Sequence, residues 1–185
     1  MNNSSYIMNI QNLFSSKERI KMINYIMNAN QIRVSQTAKE LTLSKGLVSG
    51  YFSLLTKEGI MKKTENGFEI AYSPMTKAIK ILLNINSIDI TSMSNLKPEA
   101  IGLYGSYANG TNNKDSDIDI WIKTNKPVPQ EKIASVERMI SEKLNRETKI
   151  LVLDSERLEK IKHDKEFYHS LVFGSIILFG ENLEA

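Results

Sequence analysis

Cysteine is absent from the 185 residues, which excludes disulfide frameworks and thiolate metal sites and is compatible with a reducing compartment. No apolar run approaches the ~18 residues that a membrane-crossing helix needs. The opening MNNSSYIMNIQN has neither a basic leader nor a long apolar core. The expectation is a soluble, cytoplasmic protein that does not associate with membranes. Histidine is scarce: His163 and His169 stand six apart, off a common helical face, and read as surface residues rather than a metal pair. There is no internal repeat, and no strong charge excess, the formal net charge being +3.

That small net charge conceals an asymmetry. Residues 1–90 carry 11 Lys/Arg against 6 Asp/Glu, whereas residues 91–185 carry 13 against 15. A basic half suits a polyanion, and a mildly acidic half suits metal or phosphate chemistry. The length accommodates two small domains, expected here at 1–90 and 91–185.

After a polar leader expected to be loose, SSKERIKMINYIMNA spaces Ile20, Ile23 and Met27 helically beside Tyr25 and Ile26, with Ser15 or Ser16 as cap and Glu18 in the first turn. VSQTAKELTLSKGLVSGYFSLLTKEGI predicts two further helices, capped by Ser35 and Ser44, with only Thr42 and Leu43 between them. In the longer one Leu47, Tyr51, Leu54 and Leu55 are expected to form the apolar stripe, leaving Lys45, Gly46, Ser49, Gly50 and Ser53 outward. Its two interior glycines each cost about 1 kcal/mol relative to Ala. A thin face of Gly, Ser and Lys that fits deep in a major groove would offset that cost. Then IMKKTENGFEIAYSP predicts a hairpin at Asn66-Gly67, residues that tolerate positive φ.

Three helices followed by a hairpin resemble a winged helix-turn-helix domain over about residues 14–73. The resemblance implies DNA binding, with Lys45, Ser49 and Ser53 on the recognition helix, Gln36 reaching a phosphate, and Lys62 and Lys63 on the wing. The competing reading is a solvated lysine face on a domain that makes only protein contacts. Ser73-Pro74 opens another helix through Met75, Ile79, Leu82 and Leu83 to about Asn84, whose apolar residues suggest a homodimer. The Asn/Ser-rich NINSIDITSMSNLKP is the candidate linker.

The second half carries GLYGSYANGTNNKDSDIDIWI, residues 102–122. An apolar run ends at Gly105, a short helix can start at Ser106, and a strand follows with Asp117, Asp119 and Trp121 on one face and Ile118, Ile120 and Ile122 on the other. Carboxylates two residues apart on a strand lie side by side, roughly 6–7 Å between Cα atoms. They can share a cation or bridge a metal pair about 3.5–4 Å apart; without one they repel, and one takes up a proton. A strand that ends in Gly and opens a helix offers free backbone N–H groups to a phosphate, with the Ser106 hydroxyl beside them. Together these groups suit metal-assisted nucleotidyl transfer, in which a hydroxyl attacks an α-phosphorus and pyrophosphate leaves.

GSYANGTNNKDSDIDIWI resembles the Gly-Ser and Asp-x-Asp motif of the DNA polymerase β-like nucleotidyltransferase superfamily, closest to its minimal nucleotidyltransferases, over about residues 99–180. The resemblance implies an α+β fold, a winged helix-turn-helix followed by a small nucleotidyltransferase domain with a mixed sheet packed against helices. It implies that Gly105 and Ser106 bind the nucleotide triphosphate, ATP or another NTP, and that the catalytic Asp117 and Asp119 hold Mg²⁺ or Mn²⁺. It also implies an acceptor hydroxyl that can belong to a helical partner protein of toxin–antitoxin type.

One family feature is missing. QEKIASVERMISEKLN, with Ile133, Val136, Ile140 and Leu144 apolar, leads to the strand TKILVLD, where a third carboxylate is expected; its centre is Lys149, Ile150, Leu151 and Val152. Glu147 and Asp154 are the nearest acids. An enzyme and a DNA-binding transcriptional regulator whose second half is a nucleotide sensor or dimerisation module therefore both remain open. Trp121 is expected to pack, and SERLEKIKHDKEFYHSLVFG to be helical with its charges outward.

Overall fold

The computed structural model describes residues 9–29 and 31–184. The chain divides into two compact units, Met1–Thr76 and Lys77–Ala185.

In the first unit, residues 1–8 of the expected leader lie outside the described residues, and Ile10–Leu13 (α1) is helical, with Leu13 fully buried. Helix α2 (Lys17–Asn28) starts at Ser16, whose Oγ accepts the Arg19 N–H. Helix α3 (Val34–Leu41) begins one residue before Ser35, so that serine is not its cap; Arg33 holds the position without a side-chain bond. Ser44 caps α4 (Lys45–Lys57) by accepting the Leu47 N–H at 3.2 Å.

The buried stripe of α4 is Val48, Tyr51, Phe52 and Leu55; Leu47, expected inside, is 42% exposed. The six apolar residues of this helix satisfy two overlapping 3.6-residue stripes, and tertiary partners choose between them. The Tyr51 hydroxyl donates to the Leu13 carbonyl at 2.9 Å, and the Phe52 ring meets Phe68 edge-on at 5.1 Å. Phe68 belongs to the antiparallel hairpin of β1 (Met61–Thr64) and β2 (Gly67–Ile70). The Phe68 N–H also bonds the Ile32 carbonyl at 2.9 Å, adding a rung from the segment before α3. Gly67 is required there: at φ +140° a Cβ would stand 2.5 Å from that carbonyl.

Helix α5 (Pro74–Ser87) contains the division between the units. Ser73 and Thr76 cap it reciprocally, each backbone N–H donating to the other's hydroxyl. Ile79 and Leu83 are buried within the chain, whereas Met75 and Leu82 are exposed, so part of the apolar demand that suggested protomer pairing is met internally.

The Asn/Ser-rich stretch expected as a linker lies in the second unit and is ordered. It completes α5 and then forms a 3₁₀ helix, Ile90–Leu96, capped by Asp89 and burying Met93 and Leu96. Its few apolar residues fall where they can enter the core, and these outweigh its polar composition.

The sheet of this unit is mixed, in the order β5–β4–β3–β6: β3 (Ala100–Tyr104), β4 (Ile118–Lys123), β5 (Thr148–Leu153) and β6 (Ile176–Phe179). Strand β3 runs antiparallel to β4 and β6, while β4 and β5 are parallel and joined by α7 (Gln130–Leu144). One face buries Ile118, Ile120, Ile122, Ile150 and Val152 with Ile133, Val136 and Ile140 of α7. The opposite face buries Trp121 and Leu153 with Leu171 of α9 (Lys165–Gly174). The segment expected as one helix is two, α8 (Ser155–Lys162) and α9, because Asp164 starts a new helix by accepting the Phe167 N–H.

Trp121 is fully buried, its indole N–H donating to the Ser175 hydroxyl at 2.9 Å, in keeping with its expected packing role. It lies against Gly102, where a Cβ would stand 2.2 Å from the indole Cε2. Gly102→Ala is therefore expected to destabilise the protein by about 2–3 kcal/mol, as overpacking does where neither neighbour can yield; the midpoint of urea unfolding measures this.

Candidate nucleotide-binding site

The antiparallel register of β3 and β4 sets Tyr104 opposite Asp119. The chain then turns at Gly105 into α6 (Gly105–Asn109), so the Gly-Ser corner lands against that carboxylate. The Gly105 φ of +67° lies in the left-handed region that favours glycine, and a Cβ there would stand 2.6 Å from Asp119 Oδ2, so the carboxylate would have to shift. Ser106 follows, half-buried, in the first turn of α6, where backbone N–H groups lack intrahelical partners.

The loop from α6 to β4 is held from behind. Gly110 ends α6 at positive φ, and a Cβ there would meet Ile81 and the Lys77 carbonyl at 2.9 Å. Buried Asn84 donates to the Tyr107 carbonyl at 2.8 Å and to Asn112 Oδ1 at 2.9 Å. Lys80 donates to the Asn112 carbonyl, and Arg146 to that of Asn113 at 3.1 Å. These tethers carry no motif; a polar residue on the inner side of a helix, as Asn84 is, was the available signal.

Parallel pairing of β4 with β5 places Lys149 beside Asp119. Its ammonium forms an ion pair with Asp117 and lies 4.0 Å from Glu147. Burial, and then the neighbouring Asp117 charge, raise the Asp119 carboxyl above the ordinary aspartate range, with Lys149 opposing. The hydrogen bond that the Lys149 ammonium donates to Asp117 holds it more firmly protonated than usual. Burial and the Asp119 charge likewise raise the Tyr104 hydroxyl. Lys149 and Tyr104 thus join the site, and neither stands in the motif.

The two candidate acids separate clearly. Asp154 follows the far end of β5 and caps α8 by accepting the Arg157 N–H at 2.9 Å. Glu147 lies just before β5, its carbonyl accepting the Ile118 N–H at 2.8 Å, at the end of the sheet that holds Asp117. Both histidines are exposed, His169 packing on Phe173. Two adjacent carboxylates suit one hydrated Mg²⁺ or Mn²⁺, which takes one or two such ligands and keeps several waters. Among the described residues no group of three or more His, Cys, Asp or Glu is placed to hold a metal.

Elsewhere, Gln36, Lys45, Ser49, Ser53, Lys62 and Lys63 are all exposed in the first unit. Lys62 pairs with Glu69 across the hairpin at 2.6 Å, and the Ser53 hydroxyl donates to the Ser49 carbonyl at 3.0 Å. No helix among the described residues is long and apolar enough to cross a membrane.

The raised Asp119 carboxyl has a consequence for stability. The folded chain holds this proton more tightly than the unfolded chain, so ionising Asp119 costs stability as pH rises from the unfolded value through the folded one. In chelator, Asp119→Asn is expected to raise Tm at pH 7, and the gain should vanish below about pH 4, where both states are protonated. Melting curves across pH test this.

Residues 86–170 match the model of the family described as polymerase beta, nucleotidyltransferase. A search of curated proteins finds no match. Among solved structures, a tri-AMPylated HEPN toxin of Shewanella oneidensis in complex with MNT antitoxin is similar at 20% identity, covering 55% of this chain and 73% of that one, with a TM-score of 0.39. A toxin–antitoxin complex with AMP-PNP is similar at 21% identity over 60% and 77% of the two chains, TM-score 0.39. A further toxin–antitoxin, MntA–HepT, is similar at 20% identity over 54% and 73%, TM-score 0.38. The similarity to the polymerase beta nucleotidyltransferase family therefore spans residues 86–170, within the second unit.

Proposed function

We propose that the protein transfers a nucleoside monophosphate from an NTP to a hydroxyl acceptor, and that its first unit is a winged helix-turn-helix that binds DNA. The observation that carries the transferase reading is the close approach of Gly105 to Asp119, which brings a phosphate-binding corner and an acid pair to one point. The backbone N–H groups of Gly105 and Ser106, with the Ser106 hydroxyl, bind the triphosphate. Asp117 and Asp119 supply the ligands for one Mg²⁺ or Mn²⁺. A divalent ion bound there neutralises charge on the polyphosphate and favours departure of pyrophosphate. The missing side chain at Gly105 lets the phosphate chain come down onto the backbone.

The acceptor hydroxyl is assigned to a partner protein of toxin–antitoxin type, as the family resemblance implies. Homodimer formation through α5 rests on Met75 and Leu82, the exposed members of its apolar set. The order α2–α3–α4–hairpin and the exposure of Gln36, Lys45, Ser49, Ser53, Lys62 and Lys63 support the DNA-binding reading. Lys149, standing where a third carboxylate is expected, favours a second reading: a regulator that senses nucleotide without transferring it.

Incubation with labelled ATP, CTP, GTP or UTP, Mg²⁺ or Mn²⁺ and cell extract separates the two. Transfer that disappears in an Asp117→Ala, Asp119→Ala variant supports the enzyme; nucleotide binding with no transfer supports the sensor. For DNA, the Lys45→Ala, Lys62→Ala, Lys63→Ala variant is expected to bind more weakly, with a log–log salt slope shallower by about 2–3. Titrations at several salt concentrations measure it, and an unchanged slope would remove these lysines from the interface.

A further inference from the structure

We propose that Lys149 is the fixed cation of the nucleotide site: it compensates Asp117 permanently, so that the acid pair receives one divalent ion, with Asp119 as its uncompensated ligand. This rests on the reading of Asp117 and Asp119 as metal ligands.

Three observations lead there. The β4–β5 register is parallel and unbroken from Ile118↔Thr148 to Lys123↔Leu153, so Lys149 is the immediate neighbour of Asp119 on the same face. Its side chain crosses to Asp117 to form the ion pair while Glu147 stays 4.0 Å away, so Asp117 is its principal partner. The side chain is 55% exposed, so the ammonium is not trapped by packing; with three N–H donors it can hold Asp117 and still offer one outward, toward a ligand on the open side.

A cation fixed beside two carboxylates has two effects. It lowers the repulsion that would otherwise push protons onto the pair. It also repels any second cation placed between them, an effect felt twice over by a divalent ion. An acid at this point of β5 would attract a second ion; a lysine supplies one positive charge without having to capture it. Metal affinity is therefore expected to be low in the free protein and to rise once a polyphosphate brings its own negative charge.

The test is Mn²⁺ binding by the full-length protein without nucleotide, followed by the loss of the free aqueous Mn²⁺ EPR signal. Lys149→Met is expected to tighten binding by about tenfold or more, because one opposing charge is removed at close range. Lys149→Arg, which keeps the charge, should bind as the wild type does. Lys149→Glu should take up two ions per chain instead of one. Equal affinity in the wild type and Lys149→Met would overturn the proposal, as would a gain that survives Asp117→Asn with Asp119→Asn in the Lys149→Met background. Failure of the underlying reading looks different: Asp117→Asn with Asp119→Asn alone would then leave wild-type Mn²⁺ binding unchanged.

Discussion

The second unit is organised around a backbone turn that must pass within contact distance of a carboxylate. The antiparallel pairing of Tyr104 with Asp119 brings the residue after β3 against that carboxylate, and Gly105 makes the turn there at a positive φ. The short helix α6, its Gly110 stop, and the Asn84–Asn112 link behind the loop all hold that corner in position. Each would be an unremarkable packing feature elsewhere; here each limits the movement of backbone groups that face an acid.

The same sheet separates structure from chemistry along the length of one face. Toward the C-terminal end of β4, Trp121 is sealed over Gly102 and shares a small core with Leu153 and Leu171. Two residues earlier on the same face, Asp119 is half-buried and carries a raised carboxyl. The apolar end anchors the strand so that the polar end can hold like charges near one another, and Lys149 relieves part of that repulsion. The other face of the strand is fully buried through Ile118, Ile120 and Ile122.

Much of this was legible in the chain because the relevant signals are local. Alternation of Asp and Ile over residues 117–122 defined a strand and its two faces, and Gly-Ser after an apolar run defined the turn into α6. The errors arose where a choice depended on distant partners. The stripe of α4 kept Tyr51 and Leu55 but took Val48 and Phe52 in place of Leu47 and Leu54, with Phe52 meeting Phe68. The Asn/Ser-rich stretch passed for a linker because composition outweighed its few core residues, Met93 and Leu96. The break between α8 and α9 depended on the capping preference of Asp164, which a helical periodicity does not register.

Residue order alone determined the mixed helix-and-sheet composition, the strand bearing Asp119 with Asp117 just before it, and the glycine at 105, since alternation, turn chemistry and charge spacing are properties of neighbours. Tertiary structure alone decided that the corner touches Asp119, that Asp154 is a helix cap at the opposite end of its strand, and that Lys149 pairs with Asp117. The reason is strand register. Residues thirty apart become neighbours only through the hydrogen-bond ladder between β4 and β5, and a shift of one residue would turn Lys149 to the other face and leave the two acids without their cation.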